Sequence, residues 1–109
     1  SEFLAQQGRD PVLVGFENHS GRTWLDSTVK PLAAIVRGRG NNGSDQTEGA
    51  IYRNVYCTYS HGSFLPKNPD MADYLLETAL KRRYAGFSGL EKLDNHYENN
   101  ARNHLLSCK

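Results

Sequence analysis

Short apolar runs occupy the first sixty residues of this chain, and helical periodicity is confined to the residues after them. Residues 11–16 and 32–36 are apolar runs bounded by polar residues, a pattern typical of short buried strands. Residues 37–49 are rich in Gly and Asn and predict a loop or hairpin. Residues 50–60 are dense in β-branched and aromatic residues and predict one or two further strands ending at His61. This order of elements predicts an α/β domain.

Both predicted helices follow residue 68. Asn68 is a good N-cap and Pro69 suits the first helical position, so a helix is predicted over residues 69–84. A second helix is predicted over residues 89–107, and its apolar stripe is expected to pack in the core. This second helix is expected to begin with a capping box formed by Ser88 and Glu91.

The composition excludes several classes of protein. With 109 residues the chain fits one domain, and 13 Lys and Arg against 12 Asp and Glu provide no basic excess, so no nucleic-acid partner is expected. No apolar run is long enough to span a bilayer. The two cysteines are too few for a disulfide scaffold and the first ten residues contain no apolar signal core, so a cytoplasmic location is expected.

Three motifs that could carry chemistry have simpler interpretations. Residues 38–43 match the dinucleotide pattern G-x-G-x-x-G, but no helix pattern follows them, which favours a flexible hairpin loop. Cys57 and His61 would lie about 13 Å apart on one strand, too far for a nucleophile and its base, so Cys57 is predicted to be a buried strand residue. The histidines lack zinc-type spacing, so neither a metal nor a cofactor is expected.

His61 is the residue with the most informative position. It lies at the carboxyl end of a predicted strand and is followed by Gly62 and a loop that leads into a helix. Open α/β sheets place their reactive groups at such positions. Position alone leaves both a structural and a functional role for His61 open.

Four ordered motifs around this histidine resemble class I glutamine amidotransferases of the cobyric-acid-synthase-like branch. The motifs are Gly15–Thr23, Gly40–Gly43, Glu48–Ala50 and Thr58–Pro69. Within the branch, Gly-Asn-Asn-Gly and Leu-Pro-Lys-Asn-Pro are most similar to the glutaminase subunits of lipid II isoglutaminyl synthases. The resemblance implies a flavodoxin-like domain of which residues 11–109 are the C-terminal portion, with about four strands and two C-terminal helices. Residues 1–10 are then an N-terminal extension, for part of which an origin in the expression vector is left open.

The resemblance also implies roles for individual residues. His61 matches the catalytic histidine that activates a cysteine thiolate for attack on the side-chain amide of glutamine. The loop beginning at Glu17 matches the one that holds the amino-acid end of glutamine, so the substrate-binding residues are predicted to be Asn18, His19, Ser20 and Gly21. The family's Gly-x-Cys-x-Gly nucleophile motif does not occur here, and Ser63 stands where many relatives have a Glu that orients the histidine. The third triad member is then either supplied by a partner subunit or absent.

The implied function is that of a glutaminase working through a cysteine thioester. It would supply ammonia to an ATP-dependent Mur-ligase-like synthetase that amidates the D-glutamate of the peptidoglycan precursor lipid II. The alternatives are a cobalamin-pathway amidotransferase and a non-catalytic interaction module. Residues 1–109 alone are expected to be inactive because they lack the nucleophile. They are also expected to self-associate through the strand edges near residues 11–16 and 32–36.

Overall fold

The computed structural model describes residues 1–108 and has ten short elements. The helices are α1 (Glu2–Gln6), α2 (Phe64–Lys67), α3 (Pro69–Arg83) and α4 (His96–Ser107). The strands are β1 (Phe16–Glu17), β2 (Ala33–Ala34), β3 (Thr47–Glu48), β4 (Ala50–Tyr52), β5 (Val55–Cys57) and β6 (Ser60–His61). The predicted mixture of helices and strands is therefore confirmed, although the strands are more numerous and shorter than expected.

The strands of residues 1–108 form three two-stranded antiparallel pairs, β1 with β6, β2 with β3 and β4 with β5. The pairing of β2 with β3 confirms the hairpin predicted over residues 37–49. A backbone bridge between Lys30 and Ile51 links the β4–β5 hairpin to the segment before β2. The flavodoxin-like assignment stays a prediction, because these pairs lack the parallel arrangement that such a sheet has.

The core is small and lies between α1, α3 and the β4–β5 hairpin. Leu4, Leu32 and Met71 are its fully buried apolar side chains. The rings of Phe3, Tyr56 and Tyr74 pack around them with centroids 5.1–5.8 Å apart. The Tyr56 and Tyr74 hydroxyls are hydrogen-bonded at 2.8 Å, and burial together with this bond raises the pKa of Tyr56 to about 12.

Helix α3 confirms the helix predicted over residues 69–84. Pro69 begins it, an acidic residue lies in its first turn and basic residues in its last, as the helix dipole favours. Asn68 precedes the helix as expected, but its side chain does not cap it. The amide instead accepts a hydrogen bond from Val14 N at 2.7 Å and donates to the carbonyls of Val14 and Phe64 at 2.7 Å each.

The strand predicted over residues 11–16 is reduced to β1, which begins at Phe16. Pro11 has no N–H to donate, and the backbone of Val14 is bonded by the Asn68 side chain instead of a neighbouring strand. The strand predicted over residues 32–36 is likewise reduced to β2, and Val36 is 99% exposed.

The second predicted helix starts seven residues later than expected. Helix α4 begins at His96, whose N–H donates to Asp94 Oδ1 at 3.0 Å, so the capping box at Ser88 and Glu91 is not used. The prediction that its apolar stripe packs in the core is wrong, since Leu93 and Tyr97 are 69% and 82% exposed.

Polar contacts attach α3 and α4 to the N-terminal segment. The buried Arg102 guanidinium pairs with Asp10 at 3.1 Å and donates to the Val12 carbonyl. Arg9 pairs with Glu77 at 2.7 Å. None of the helices within residues 1–108 has the length and apolar character needed to cross a membrane.

Candidate functional site

The pairing of β1 with β6 places His61 opposite Phe16, at the point where the loop of residues 17–22 begins. The two strands approach closely at Gly15, where a Cβ atom would lie 2.3 Å from the Cβ of Ser60. Only glycine fits there without displacing β6. The His61 side chain is exposed and accessible for chemistry.

The four predicted substrate-binding residues lie together. Asn18, His19, Ser20 and Gly21 line one open polar depression, whose opposite wall is the loop of residues 39–44. His61 is not among the residues that line this depression, although Ser60 before it pairs with Glu17 at its edge. The structure therefore groups the predicted substrate residues and places the predicted base beside the strand from which they emerge.

Hydrogen bonds join the two loops that form the depression. The Glu17 carboxylate accepts from the backbone N–H groups of Arg39 and Gly40, each at 2.9 Å. Thr23 N donates to the Asn41 carbonyl at 2.8 Å, and Asn42 Nδ2 donates to the Thr23 carbonyl at 2.9 Å. These bonds fix the relative position of the two walls.

The Gly-Asn-Asn-Gly segment is ordered by its own side chains. Asn41 and Asn42 are 1% and 7% exposed. The Asn41 amide bonds both the N–H and the carbonyl of Gly49, at 2.8 and 2.9 Å. Asn42 Oδ1 accepts from Ser44 and Asp45, and the hydrogen bonds that Asp45 itself accepts from Thr47 and Asn42 lower its pKa. The segment is thus a hairpin, as predicted, but a rigidly bonded one without the helix that a dinucleotide site requires.

Tyr59, which directly precedes β6, contacts the predicted substrate loop. Its ring stacks on the His19 imidazole with centroids 3.8 Å apart and an interplanar angle of 8°. Its hydroxyl is hydrogen-bonded to Thr23 Oγ1 at 2.7 Å, and His19 Nδ1 lies 2.8 Å from the Gly21 carbonyl oxygen. One aromatic side chain therefore contacts the loop at His19 and the chain directly after it at Thr23.

Glu48 is the buried acid of this region, 6% exposed. Its carboxylate accepts from Tyr59 N at 2.7 Å and from Thr58 Oγ1 at 3.0 and 3.1 Å. Burial raises the pKa of Glu48, while the hydrogen bonds from Tyr59 and Thr58 act in the opposite direction. These contacts are not predictable from the sequence, because a Glu within a short polar strand is normally solvated.

The segment after His61 is bonded by a side chain of helix α2. Lys67 Nζ donates to the Gly62 carbonyl, and Ser63 adopts a left-handed conformation with φ of 55°.

The prediction that Cys57 is buried is wrong: Cys57 is exposed, because in β5 it is Tyr56 that packs against the core. Within residues 1–108, no three His, Cys, Asp or Glu side chains are grouped as metal ligands.

Comparison with known proteins identifies the family to which this sequence is related. The model of the CobB/CobQ-like glutamine amidotransferase domain matches residues 3–69, which include β1, β6 and both walls of the depression. The subunit GatD of lipid II isoglutaminyl synthase (glutamine-hydrolyzing) from Streptococcus pneumoniae is 47% identical over 75 residues, covering 69% of this chain and 29% of that protein. Its Staphylococcus aureus counterpart is 45% identical over 95 residues, covering 87% of this chain and 38% of that protein.

A probable cobyric acid synthase from Methanothermobacter thermautotrophicus is also similar, with 39% identity over 89 residues, 82% of this chain and 17% of that protein. The chain thus spans about a third of the length of the two GatD subunits. The family model covers more than half of the chain. The Staphylococcus aureus relative is 45% identical over 87% of the chain, which is enough to establish homology. The chain belongs to the CobB/CobQ-like glutamine amidotransferase family.

Proposed function

We propose that this chain is the C-terminal part of a glutaminase, in which His61 is the general base and Asn18–Gly21 hold the amino-acid end of glutamine. The observation that carries the proposal is the register of β1 and β6, which places His61 opposite Phe16. The proposed base lies in β6, and the proposed substrate loop follows β1, to which β6 is directly paired. A proton acceptor on the strand next to a polar binding loop suits the activation of a substrate amide held by that loop.

The proposed reaction proceeds through a cysteine thioester. His61 deprotonates a cysteine thiol, and the resulting thiolate attacks the side-chain carbonyl carbon of glutamine. Ammonia then leaves with the proton returned by the histidine. Water then attacks the thioester with His61 again as base, which releases glutamate. Neither Cys57 nor Cys108 lies in a glycine-flanked turn, so the nucleophile comes from outside residues 1–109. Residues 1–109 alone are accordingly expected not to hydrolyse glutamine.

The proposed recipient of the ammonia is an ATP-dependent Mur-ligase-like synthetase subunit that amidates the D-glutamate of lipid II in the cytoplasm. The names of the two GatD relatives support this acceptor. The likeness to a probable cobyric acid synthase supports a second candidate, amidation in the cobalamin pathway.

Glutamine with an isotopically labelled amide nitrogen tests both candidates. The full-length protein is combined with the synthetase, ATP and either lipid II or a corrin carboxylate. Mass spectrometry then shows which product carries the labelled nitrogen. We expect the label in the D-glutamate of lipid II and in no corrin product. Label in the corrin would establish the second candidate, and the absence of any ammonia release from glutamine would contradict the glutaminase proposal and favour a non-catalytic interaction module.

A further inference from the structure

Glu48 is buried without a cationic partner. The ion pairs within residues 1–108 join Arg9 to Glu77 and Arg102 to Asp10, and neither includes Glu48. A buried carboxylate is costly unless several donors are directed at it. The donors to Glu48 all come from Thr58 and Tyr59, so the acid is committed to the segment that leads to His61.

The contacts of Glu48 extend along this segment in two directions. Thr58 Oγ1, which donates to Glu48, also accepts from Ser60 N at 2.9 Å, and Ser60 precedes His61. Tyr59, whose N–H donates to Glu48, carries the ring on which His19 stacks. One carboxylate is therefore connected both to the strand of the proposed base and to the proposed glutamine loop.

We propose that Glu48 is a positioning residue that fixes the glutamine loop relative to His61, acting through Thr58 and Tyr59. The proposal rests on the proposed glutaminase function. Glu48 itself touches neither substrate nor His61, and its effect is to hold two groups in one geometry. Errors of about 1 Å in such geometry reduce turnover by as much as roughly a hundredfold.

The kinetic test compares Glu48→Ala with Glu48→Gln in the full-length protein bound to its synthetase. The amide oxygen of Gln can still accept from Tyr59 N and Thr58 Oγ1, whereas Ala leaves both donors unpaired. We expect Glu48→Ala to raise KM for glutamine and lower kcat/KM roughly ten- to a hundredfold, and Glu48→Gln to restore most of the loss. A purely structural role would reduce the amount of active protein and leave KM unchanged, which would overturn the proposal.

A second readout is independent of activity. Stacking on Tyr59 displaces the carbon-bound proton resonances of the His19 ring, and NMR of histidine-labelled protein detects this shift. We expect Glu48→Ala to move the His19 resonances toward those of Tyr59→Leu, while the resonances of His104, on α4, stay in place. Unchanged His19 resonances in Glu48→Ala would refute the positioning of the loop by Glu48, even if the protein is a glutaminase. A shift would support this positioning, even if the protein has no glutaminase activity.

Thr58→Val provides a milder variant if Glu48→Ala does not fold. It removes the hydroxyl that joins Glu48 to Ser60 but leaves the bond from Tyr59 N intact. We expect a smaller loss of kcat/KM than in Glu48→Ala, in the same direction. Wild-type kcat and KM in Thr58→Val would contradict the part of the proposal that runs through Thr58.

Discussion

Single buried polar residues determine the geometry of the candidate site. Glu48 combines a high desolvation cost with hydrogen bonds from Tyr59 and Thr58, and the balance leaves its pKa above the ordinary value. Two further charges contribute, since Glu17 raises this pKa and His19 lowers it. The protonation of Glu48 is therefore linked both to folding and to the charges around the proposed substrate loop.

The raised pKa of Glu48 predicts a pH-dependent stability. Above the ordinary pKa of 4.5, Glu48 loses its proton in the unfolded chain but retains it in the folded protein until the pH reaches the raised pKa. The corresponding stability is present below the ordinary pKa and is lost as the pH rises through the raised pKa. We expect the free energy of unfolding of the wild type to fall, relative to Glu48→Gln, from acid toward neutral pH. Urea titrations across this range measure it, and parallel pH profiles would contradict the assignment.

The sequence predicts the proposed catalytic histidine and the proposed substrate loop, but not the residues that hold them. His61 and Asn18–Gly21 are recognisable from ordered motifs, as Gly40–Gly43 is. The roles of Asn41 and Glu48 were not predictable, because hydrophobic patterns carry no information on which polar side chains are buried. Their partners are distant loops whose approach is set by the fold.

At the scale of elements, Asn68 joins helix α3 to the strand region. It is 2% exposed, and its amide bonds both backbone groups of Val14 and the carbonyl of Phe64. Val14 precedes β1, and Phe64 begins α2 directly after the His61 loop. A side chain at the start of α3 thereby fixes the two segments that flank the β1–β6 pair.

Replacing Asn68 is expected to destabilise the fold. Asn68→Ala removes three hydrogen bonds and leaves partly buried backbone groups unpaired, at a cost of about 2–4 kcal/mol in the free energy of unfolding. Asn103→Ala, at an exposed position of α4, is the matched control and is expected to change stability by less than about 0.5 kcal/mol. Urea unfolding measures both variants, and equal stabilities would show that the Asn68 contacts are dispensable.

The elements themselves were predictable to different degrees. Helix α3 was predicted almost to its ends, because Pro69, the charge distribution and the apolar spacing all agree. The start of α4 was not, since the helix begins at His96, whose N–H donates to Asp94 Oδ1, and the capping box at Ser88 is not used. Residues 11–15 have the pattern of a strand, but the backbone of Val14 is bonded by the Asn68 side chain, which no periodicity reveals.

At the scale of the whole molecule, little apolar surface is buried. Within residues 1–108, Leu4, Leu32 and Met71 are the fully buried apolar side chains. Phe16 and Val36, in or beside the edge strands β1 and β2, are 59% and 99% exposed. Exposed apolar side chains on strands that have one paired edge favour association with further strands.

Residues 1–109 are therefore expected to self-associate, with a second copy covering these edges. Light scattering at micromolar concentration should give a mass above that of the monomer, and Val36→Lys should shift the equilibrium toward monomer by placing a charge at the contact. A monomer with a sharp, concentration-independent thermal transition would contradict this expectation.

The role of His61 is tested most directly by its replacement in the full-length protein. Loss of a general base reduces the rate by roughly a hundred- to ten-thousand-fold, so kcat for glutamine hydrolysis should fall by this factor in His61→Ala. The control is His104→Ala, which removes an exposed histidine of α4 and should leave kcat unchanged. Circular dichroism confirms that both variants fold. A His61→Ala protein that folds and retains more than half of the wild-type rate would show that His61 is not the general base.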